Sequence, residues 1–332
     1  MEKFDSIYIM LGFECNFNCV YCLQGNIKKP VTTPILSDSF LKFLDNYPYK
    51  ETTRIFFWGG EPLLYYSTVQ KVVERYSGQY QFGIISNGSL LTQDKVDFFN
   101  RHKVHFIFSH DAHSTKETRK KDMWQEKSFR ECFDNLHSRT INVTVTAKSK
   151  PFADIFAYYP EGEDININPL INTFDNESNR SLATFKAKDV KRDISYLLQG
   201  YEEGRKSETR NTKKLLTAML RFLDEDNADR CFDCVYGAKT FNIDTQGNVY
   251  VCHNSTHKVG TVEDSYEDIS TKIKKVITGV RKGCEGCTIN SLCGGSCYLL
   301  SGYGRQQHCE RLHAVHDVLL EYLNQKGKIV DA

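Results

Sequence analysis

Three cysteines stand in one short stretch, CNFNCVYC, as Cys15, Cys19 and Cys22 in the spacing C-x-x-x-C-x-x-C. Thiolates are soft ligands suited to iron and zinc. Three of them this close can hold one face of an iron-sulfur cube, leaving a fourth iron without a protein ligand and open to a substrate. A zinc knuckle would need a fourth Cys or His to close its tetrahedron, and none lies within twenty residues on either side. A second concentration comes late in the chain. CEGCTINSLCGGSC runs as Cys284-x2-Cys287-x5-Cys293-x3-Cys297, followed by Cys309 and preceded by Cys231, Cys234 and Cys252. Eight thiols suffice for two fully ligated iron-sulfur clusters or for two zinc sites of four cysteines each. Cys132, in FRECFDNL on a helical pattern, reads as a small buried hydrophobe. Disulfides are the weaker account, because no export signal is present and a core of this size needs no staples.

The elements that must position these thiols are visible in the periodicity. Up to about residue 172, β-rich runs alternate with amphipathic helical stretches, the pattern of a parallel sheet covered by helices. Strands are predicted at SIYIML (6–11), RIFFW (54–58), QFGIIS (81–86), VHFIFS (104–109), INVTVT (141–146) and DININPLI (164–171). The first cysteine loop follows the first strand. Helices are predicted at 37–47, with Ser37 as cap, and at 91–102, with Thr92 as cap. Six repeats fall short of the eight of a closed barrel, so the fold class is α/β, a partial (β/α)6 TIM-like barrel over residues 1–205. A helical bridge follows at 206–230, containing TKKLLTAMLRFLDE. Residues 231–332 form a loop-rich domain with a hairpin at 240–252, turning at Gln246-Gly247-Asn248, and a helix from Gln307 to Asn324. So little apolar material in that tail requires bound metal to organise it.

Composition narrows the function classes. Lys plus Arg total 43 against 42 for Asp plus Glu, with no long basic run to track a phosphate backbone. Nucleic acid is therefore not an expected partner. The N-terminus has no charged flank, apolar stretch and cleavage site of a signal peptide, and no window reaches the roughly 18 apolar residues of a membrane helix. The expectation is a soluble, cytoplasmic protein.

CNFNCVYC resembles the signature of the radical S-adenosylmethionine (SAM) enzymes, whose fold is a partial barrel with the cluster loop after strand one. The resemblance implies a 4Fe-4S cluster on Cys15, Cys19 and Cys22 whose open iron chelates SAM, and reductive cleavage to a 5'-deoxyadenosyl radical that abstracts hydrogen. FWGGEP closes the second strand where that family places a Gly-Gly-Glu motif, which makes Gly59, Gly60 and Glu61 the implied site for the ammonium group of SAM. Tyr21 matches an aromatic beside the adenine. Asn87 and Ser109, after the third and fourth strands, stand where relatives contribute polar groups, and Arg119 resembles an arginine paired with the SAM carboxylate. The motif after the fourth strand resembles Ser-x-Asp-Gly, except that Asp111 is followed here by Ala112. The tail resembles the SPASM extension of the same enzymes. By that arrangement Cys231, Cys234, Cys252 and Cys297 hold a first auxiliary cluster and Cys284, Cys287, Cys293 and Cys309 a second, giving three 4Fe-4S clusters with SAM as cofactors.

Relatives with this double extension imply oxidative modification or crosslinking of a side chain in a ribosomal peptide (RiPP maturation) or protein. Electrons would come from a donor such as flavodoxin or ferredoxin. The alternatives are a radical SAM dehydrogenase acting on a small molecule, and sulfatase-maturase-like formylglycine formation. His253, directly after Cys252 where maturases carry a carboxylate, is the candidate base. Only fourteen residues precede Cys15, so the expectation is that a separate leader-binding protein presents the peptide, that the substrate docks directly, or that the substrate is not a peptide.

Overall fold

Runs rich in β-branched and aromatic residues supply nine strands in the computed structural model, which describes residues 6–26, 35–47, 52–173, 177–222, 240–278, 284, 286–289, 293, 297–300 and 302–327. They are β1 (Ser6–Met10), β2 (Arg54–Trp58), β3 (Gln81–Ser86), β4 (His105–Ser109), β5 (Arg139–Val145), β6 (Ile165–Pro169), β7 (Thr240–Asp244), β8 (Asn248–Tyr250) and β9 (Lys258–Thr261). Their order in the sheet is β6-β5-β4-β3-β2-β1-β7-β8-β9. β1 lies parallel to β2, β2 to β3 and β3 to β4. The six predicted strands are all present in chain order, as a partial barrel requires. The sixth is shorter than predicted and stops at Pro169, whose missing N–H ends a ladder.

One feature of the sheet was not predicted. β7 pairs in parallel with the free side of β1 in the register Ser6↔Thr240 through Met10↔Asp244. β8 and β9 then continue antiparallel. The hairpin turns where expected, with Gly247 at φ +82°. Asp244 braces that turn, its carboxylate accepting the Gln246 and Asn248 amides, each at 2.9 Å.

The helices are α1 (Asp38–Asn46), α2 (Tyr66–Tyr76), α3 (Gln93–Arg101), α4 (Thr115–Arg119), α5 (Lys127–Asp134), α6 (Phe152–Ala157), α7 (Glu177–Ala183), α8 (Ala187–Glu202), α9 (Lys206–Phe222), α10 (Tyr266–Thr278) and α11 (Gly302–Gln325). Ser37 caps α1 as predicted, accepting the Phe40 amide at 3.2 Å. Thr92 occupies the cap position of α3, but its hydroxyl accepts from Lys95 Nζ at 2.8 Å rather than from a backbone N–H. α11 begins five residues before the predicted Gln307, at Gly302. Within that added turn Gly304 packs against Asn172, whose carbonyl a Cβ there would meet at 2.2 Å. Among the described residues no helix is long and apolar enough to cross a membrane.

Parallel strands covered on both faces read as continuous apolar runs, whereas these alternate. In β1 and β2, Ile7, Ile9, Ile55 and Phe57 are fully buried, while Tyr8, Phe56 and Trp58 are half-buried. β4 repeats the pattern, with Phe106 and Phe108 buried and His105, Ile107 and Ser109 half-buried. One face of these strands is thus fully buried and the other partly open.

The chain divides into two compact units. The first comprises residues 1–110, 119–141 and 235–279, and the second 111–118, 142–234 and 280–332. Within the second unit β6 is shielded by side chains of α9. Ser207 Oγ accepts the Ile165 amide at 2.9 Å, and Asn211 accepts the Ile167 amide at 3.0 Å while donating to the Ile165 carbonyl at 2.8 Å. Two residues one helical turn apart therefore occupy the hydrogen-bonding groups that an edge strand otherwise exposes.

Candidate metal centre and cofactor site

The loop carrying Cys15, Cys19 and Cys22 leaves β1 at Met10 and is fastened to the end of β2 by backbone bonds. Leu11 donates to the Trp58 carbonyl at 2.9 Å, Gly60 to Gly12 at 2.8 Å and Glu61 to Glu14 at 2.8 Å. This approach explains the glycines. A Cβ on Gly59, whose φ is +151°, would lie 2.4 Å from the Gly12 carbonyl, and one on Gly60 would lie 2.0 Å from that of Glu14. Gly12 is constrained likewise, since a Cβ there would meet the Tyr65 hydroxyl at 2.3 Å. That hydroxyl accepts the Glu14 amide at 3.1 Å.

Glu61 sits at the centre of the second layer of bonds. Its carboxylate is 1% exposed. It accepts the Ser86 hydroxyl at 2.7 Å, the Asn87 amide at 2.7 Å and the Leu63 amide at 3.0 Å. Burial pushes the Glu61 carboxyl above its usual range, and the three donors offset only part of that desolvation. Glu61 therefore ties the ends of β2 and β3 together, and its carboxylate is occupied within the protein.

Asn87 passes the connection on to the cysteine loop. Its Nδ2 donates to Asn16 Oδ1 at 2.9 Å and lies 3.9 Å from Cys15 Sγ. Its Oδ1 accepts the amide and hydroxyl of Ser89 at 2.9 and 2.6 Å. Asn16 Nδ2 closes the circuit by donating to Ser89 Oγ at 2.8 Å. Lys121 adds an outer tie, donating to the Asn16 carbonyl at 3.2 Å with Nζ 5.4 Å from the Phe17 ring centroid.

Cys15 is exposed, and Cys19 and Cys22 are half-buried. The Cys15 thiol is raised chiefly by burial, with further upward contributions from the Glu61 and Cys22 charges. Three soft donors on one braced loop are of the type a 4Fe-4S cluster takes, although among the described residues no three His, Cys, Asp or Glu side chains are grouped closely enough to hold a single metal ion. Tyr21, 8% exposed, lies between two of them. Arg119, at the last residue of α4, holds its guanidinium 5.6 Å from the Tyr21 ring centroid, a cation–π distance. Ser109 is half-buried at the end of β4.

His253 follows β8. Its ring stacks on Tyr8 at 4.9 Å and 14° and meets Trp58 edge-on at 4.7 Å and 78°. Trp58 Nε1 also donates to the His253 carbonyl at 3.1 Å, fixing the backbone beneath the ring. Nδ1 is buried and makes no hydrogen bond among the described residues. Burial pushes the imidazole down to about 4, so the ring is neutral at pH 7.

Of the tail cysteines, Cys231 and Cys234 lie outside the described residues. Cys252 is buried in the first unit, and Cys297 is half-buried in the second. The Cys309 thiol, on α11, is raised by burial and then by the charges of Cys284 and Cys287. Cys287 Sγ is 3.8 Å from His313 Nε2, one turn beyond Cys309. Cys293 is buried in the same unit. The soft, all-thiol donor set suits iron-sulfur clusters as well as zinc. Cys132, expected to be buried, is half-buried on α5.

Sequence reasoning missed Asn16, Tyr65, Ser89 and Lys121. Asn16 had a visible signal, an amide within the cysteine spacing itself. Tyr65 and Lys121 had none, because both reach the loop only through the fold.

Comparison with known proteins matches residues 9–147 to the Radical SAM superfamily model. The radical SAM cyclopropyl synthase TigE of Paramaledivibacter caminithermalis is 24% identical over 131 residues, covering 33% of this chain and 28% of TigE. An S-adenosylmethionine-dependent nucleotide dehydratase of a Thermoplasmatales archaeon is 32% identical over 94 residues, covering 28% of this chain and 33% of the dehydratase. The chain thus spans about a third of either relative. Among solved structures, native anSMEcpe with bound AdoMet and Cp18Cys peptide superposes with a TM-score of 0.68 at 16% identity, covering 96% of this chain and 99% of that one. Streptococcus suis SuiB bound to precursor peptide SuiA gives 0.64 at 15% identity, covering 90% and 73%. At such identities these superpositions speak to the fold. The matched stretch, residues 9–147, holds the cysteine loop, the Gly-Gly-Glu turn and the Asn87 turn, and it is this segment that is similar to the Radical SAM superfamily.

Proposed function

We propose that the chain is a radical SAM enzyme with a SPASM extension that oxidatively modifies or crosslinks a side chain of a ribosomal peptide or protein. The observation that carries the catalytic half is the bracing of Cys15, Cys19 and Cys22 by the Glu61–Asn87–Asn16 chain of hydrogen bonds. The peptide half draws on the peptide-bound structures of anSMEcpe and SuiB, whose folds extend over most of this chain. A 4Fe-4S cluster bound at the loop would supply the electron for reductive cleavage of SAM to a 5'-deoxyadenosyl radical that takes a hydrogen atom from the substrate.

The chain's own residues divide the remaining work. Cys15, Cys19 and Cys22 hold the cluster, and the loop bonds fix their spacing. The Gly59-Gly60-Glu61 turn offers the SAM ammonium group its backbone, since the Glu61 carboxylate is already committed. Tyr21 and Arg119 form an aromatic and cationic wall for the adenine and the carboxylate, and Asn87 and Ser109 line the turns beside them. His253, whose buried Nδ1 makes no hydrogen bond among the described residues, is the base that accepts the proton released as the substrate is oxidised. Cys231, Cys234, Cys252 and Cys297 hold one auxiliary cluster, and Cys284, Cys287, Cys293 and Cys309 a second. The barrel over 1–205, the bridge over 206–230 and the SPASM domain over 231–332 divide these tasks. Electrons come from a donor such as flavodoxin or ferredoxin, in the cytoplasm.

Iron, sulfide and zinc per chain after anaerobic reconstitution test the cluster count. About twelve irons with matching sulfide are expected for three four-iron clusters, and about four irons with two zincs would remove the auxiliary clusters. Replacing Cys15, Cys19 and Cys22 together by Ala should abolish SAM cleavage under dithionite while the auxiliary iron stays bound. Cleavage persisting in that variant would overturn the proposal.

A further inference from the structure

The register of the sheet sets one row of side chains across four strands of the first unit. Phe56 of β2 pairs with Tyr8 of β1, Tyr8 with Asn242 of β7, and Asn242 with Tyr250 of β8. Register partners share a face, and the next residue along each strand points to the other one. That other face carries the buried Ile55, Ile7 and Phe241, and there Phe241 stacks on Phe43 of α1 at 5.3 Å. The Tyr8 row therefore lies on the face turned away from α1. Its aromatic members are half-buried, as is Trp58, two residues beyond Phe56 on the same face. Asn242 is the exception, at 4% exposed.

Asparagine is a poor strand former, and this one stands between two tyrosines with its side-chain oxygen buried and accepting no hydrogen bond among the described residues. A buried carbonyl oxygen without a donor is costly, and folded proteins keep few of them. His253 Nδ1 is a second such atom, on a ring stacked at 4.9 Å and 14° on Tyr8, the register partner of Asn242. Phe56 stacks on the same tyrosine at 5.0 Å, and Trp58 meets His253 edge-on at 4.7 Å. Two unfilled polar atoms thus belong to the neighbours of one tyrosine ring, within a wall of aromatic rings. An asparagine Oδ1 only accepts, so what it lacks is a donor hydrogen, and half-open rings pack best against a flat apolar body. We propose that Asn242 Oδ1 is a substrate-binding acceptor that takes an O–H or N–H donor carried on a flat apolar side chain, with Tyr8 and Trp58 receiving the body of that group beside His253. The donor preference stands on this geometry, and only the identity of the bound group as the one oxidised rests on the function proposed above.

The test uses the reconstituted full chain and side-chain analogues in pairs: p-cresol with toluene, and skatole with N-methylskatole, the second member of each lacking the donor. Affinities are read by anaerobic equilibrium dialysis. In the wild-type protein p-cresol, skatole or both should bind about tenfold tighter than the donor-free partner, the effect of one donor filling a buried acceptor. Which pair shows the preference identifies O–H or N–H as the donor. Asn242→Leu keeps the bulk and removes the acceptor. In that variant the preference should vanish while toluene binds as before, and the denaturation midpoint should not fall, because an apolar group replaces an unsatisfied polar one. Equal affinities or no binding within both pairs in the wild-type protein, or a preference that survives Asn242→Leu, would overturn the subsite. Loss of toluene binding together with a lowered midpoint would assign Asn242 to the fold and overturn it as well. A donor preference in a wild-type protein that cleaves no SAM would instead retain the subsite and remove the radical reading.

Discussion

Glu61 Oε2 accepts the backbone amide of Asn87 at 2.7 Å, joining the end of β2 to the end of β3 directly beside the cysteine loop. The same carboxylate takes the Ser86 hydroxyl and the Leu63 amide through Oε1, so no donor is left facing a donor. Glu61→Gln keeps the shape but puts an NH2 group opposite one of these N–H groups. An unsatisfied buried donor costs about 1–3 kcal/mol. The variant should unfold at correspondingly lower denaturant under anaerobic conditions and retain less iron at the loop. An unchanged midpoint with full iron would mean that this carboxylate does not brace the site.

Asn87 tests the same chain of bonds one step closer to the metal. Asn87→Ala deletes the bond to Asn16, whereas Asn87→Asp adds a negative charge where Nδ2 now stands 3.9 Å from Cys15 Sγ. A like charge disfavours a thiolate, and iron binding needs the thiolate. The Asp variant should therefore lose more loop iron, and more SAM cleavage, than the Ala variant. Equal loss in both would assign Asn87 a steric role only.

Ala112 has φ +50°, the left-handed region that favours glycine. The resemblance-based motif carries Gly at this position, and the backbone keeps the glycine-like conformation despite the methyl group. Its amide donates to the Tyr159 hydroxyl at 3.1 Å, and the neighbouring Asp111 carboxylate accepts the Thr144 amide at 3.1 Å and the Thr118 hydroxyl at 2.7 Å. These bonds hold the turn against its strain. Left-handed alanine costs about 1–2 kcal/mol, and glycine returns about 0.5–1 kcal/mol through chain entropy. Ala112→Gly should therefore raise stability by up to about 1 kcal/mol, and Ala112→Val should lower it. Thermal unfolding of both variants decides, and a destabilised Gly variant would show that the turn is not strained.

The legible parts were those written in short-range patterns. β1 to β5 could be read because each is rich in β-branched or aromatic residues, β6 because its isoleucines alternate with polar residues, and the cysteine loop's place after β1 because its three thiols lie next to that strand in the chain. Less legible was anything set by tertiary reach. The hairpin at 240–252 was predicted, but its pairing with β1 was not, because a strand's choice of neighbour depends on elements two hundred residues away. Gly59 and Gly60 were read as part of the site for the SAM ammonium group. Their backbone meets Gly12 and Glu14 first, and the spacing within FWGGEP carries no trace of that.

Asn211 gives a local prediction for the second unit. It accepts the Ile167 amide and donates to the Ile165 carbonyl, whereas Ser207 independently serves the Ile165 amide. In Asn211→Ala the Ile167 amide should lose hydrogen-exchange protection while the Ile165 amide keeps it. A cost of about 1–3 kcal/mol is expected for the group left unsatisfied. Uniform loss across β6 would mean that the helix holds the strand by packing rather than by these two side chains.

His253 separates two kinds of failure. Its ring is held between Tyr8 and Trp58, and its backbone by the Trp58 indole. If His253 accepts a proton from the substrate, His253→Ala should cleave SAM at the wild-type rate yet yield no modified product, because radical formation precedes the proton loss. Trp58→Phe keeps an aromatic edge but removes the donor to the His253 carbonyl, which is worth about 0.5–1.5 kcal/mol. That variant should lower product yield partially, with His253 still present but less well placed. Product formation and 5'-deoxyadenosine release are measured in the same reaction, so their ratio reads the effect directly. A proportional fall of both in His253→Ala would assign the histidine to radical generation or cluster support, and an unchanged ratio with unchanged rates would remove it from the mechanism.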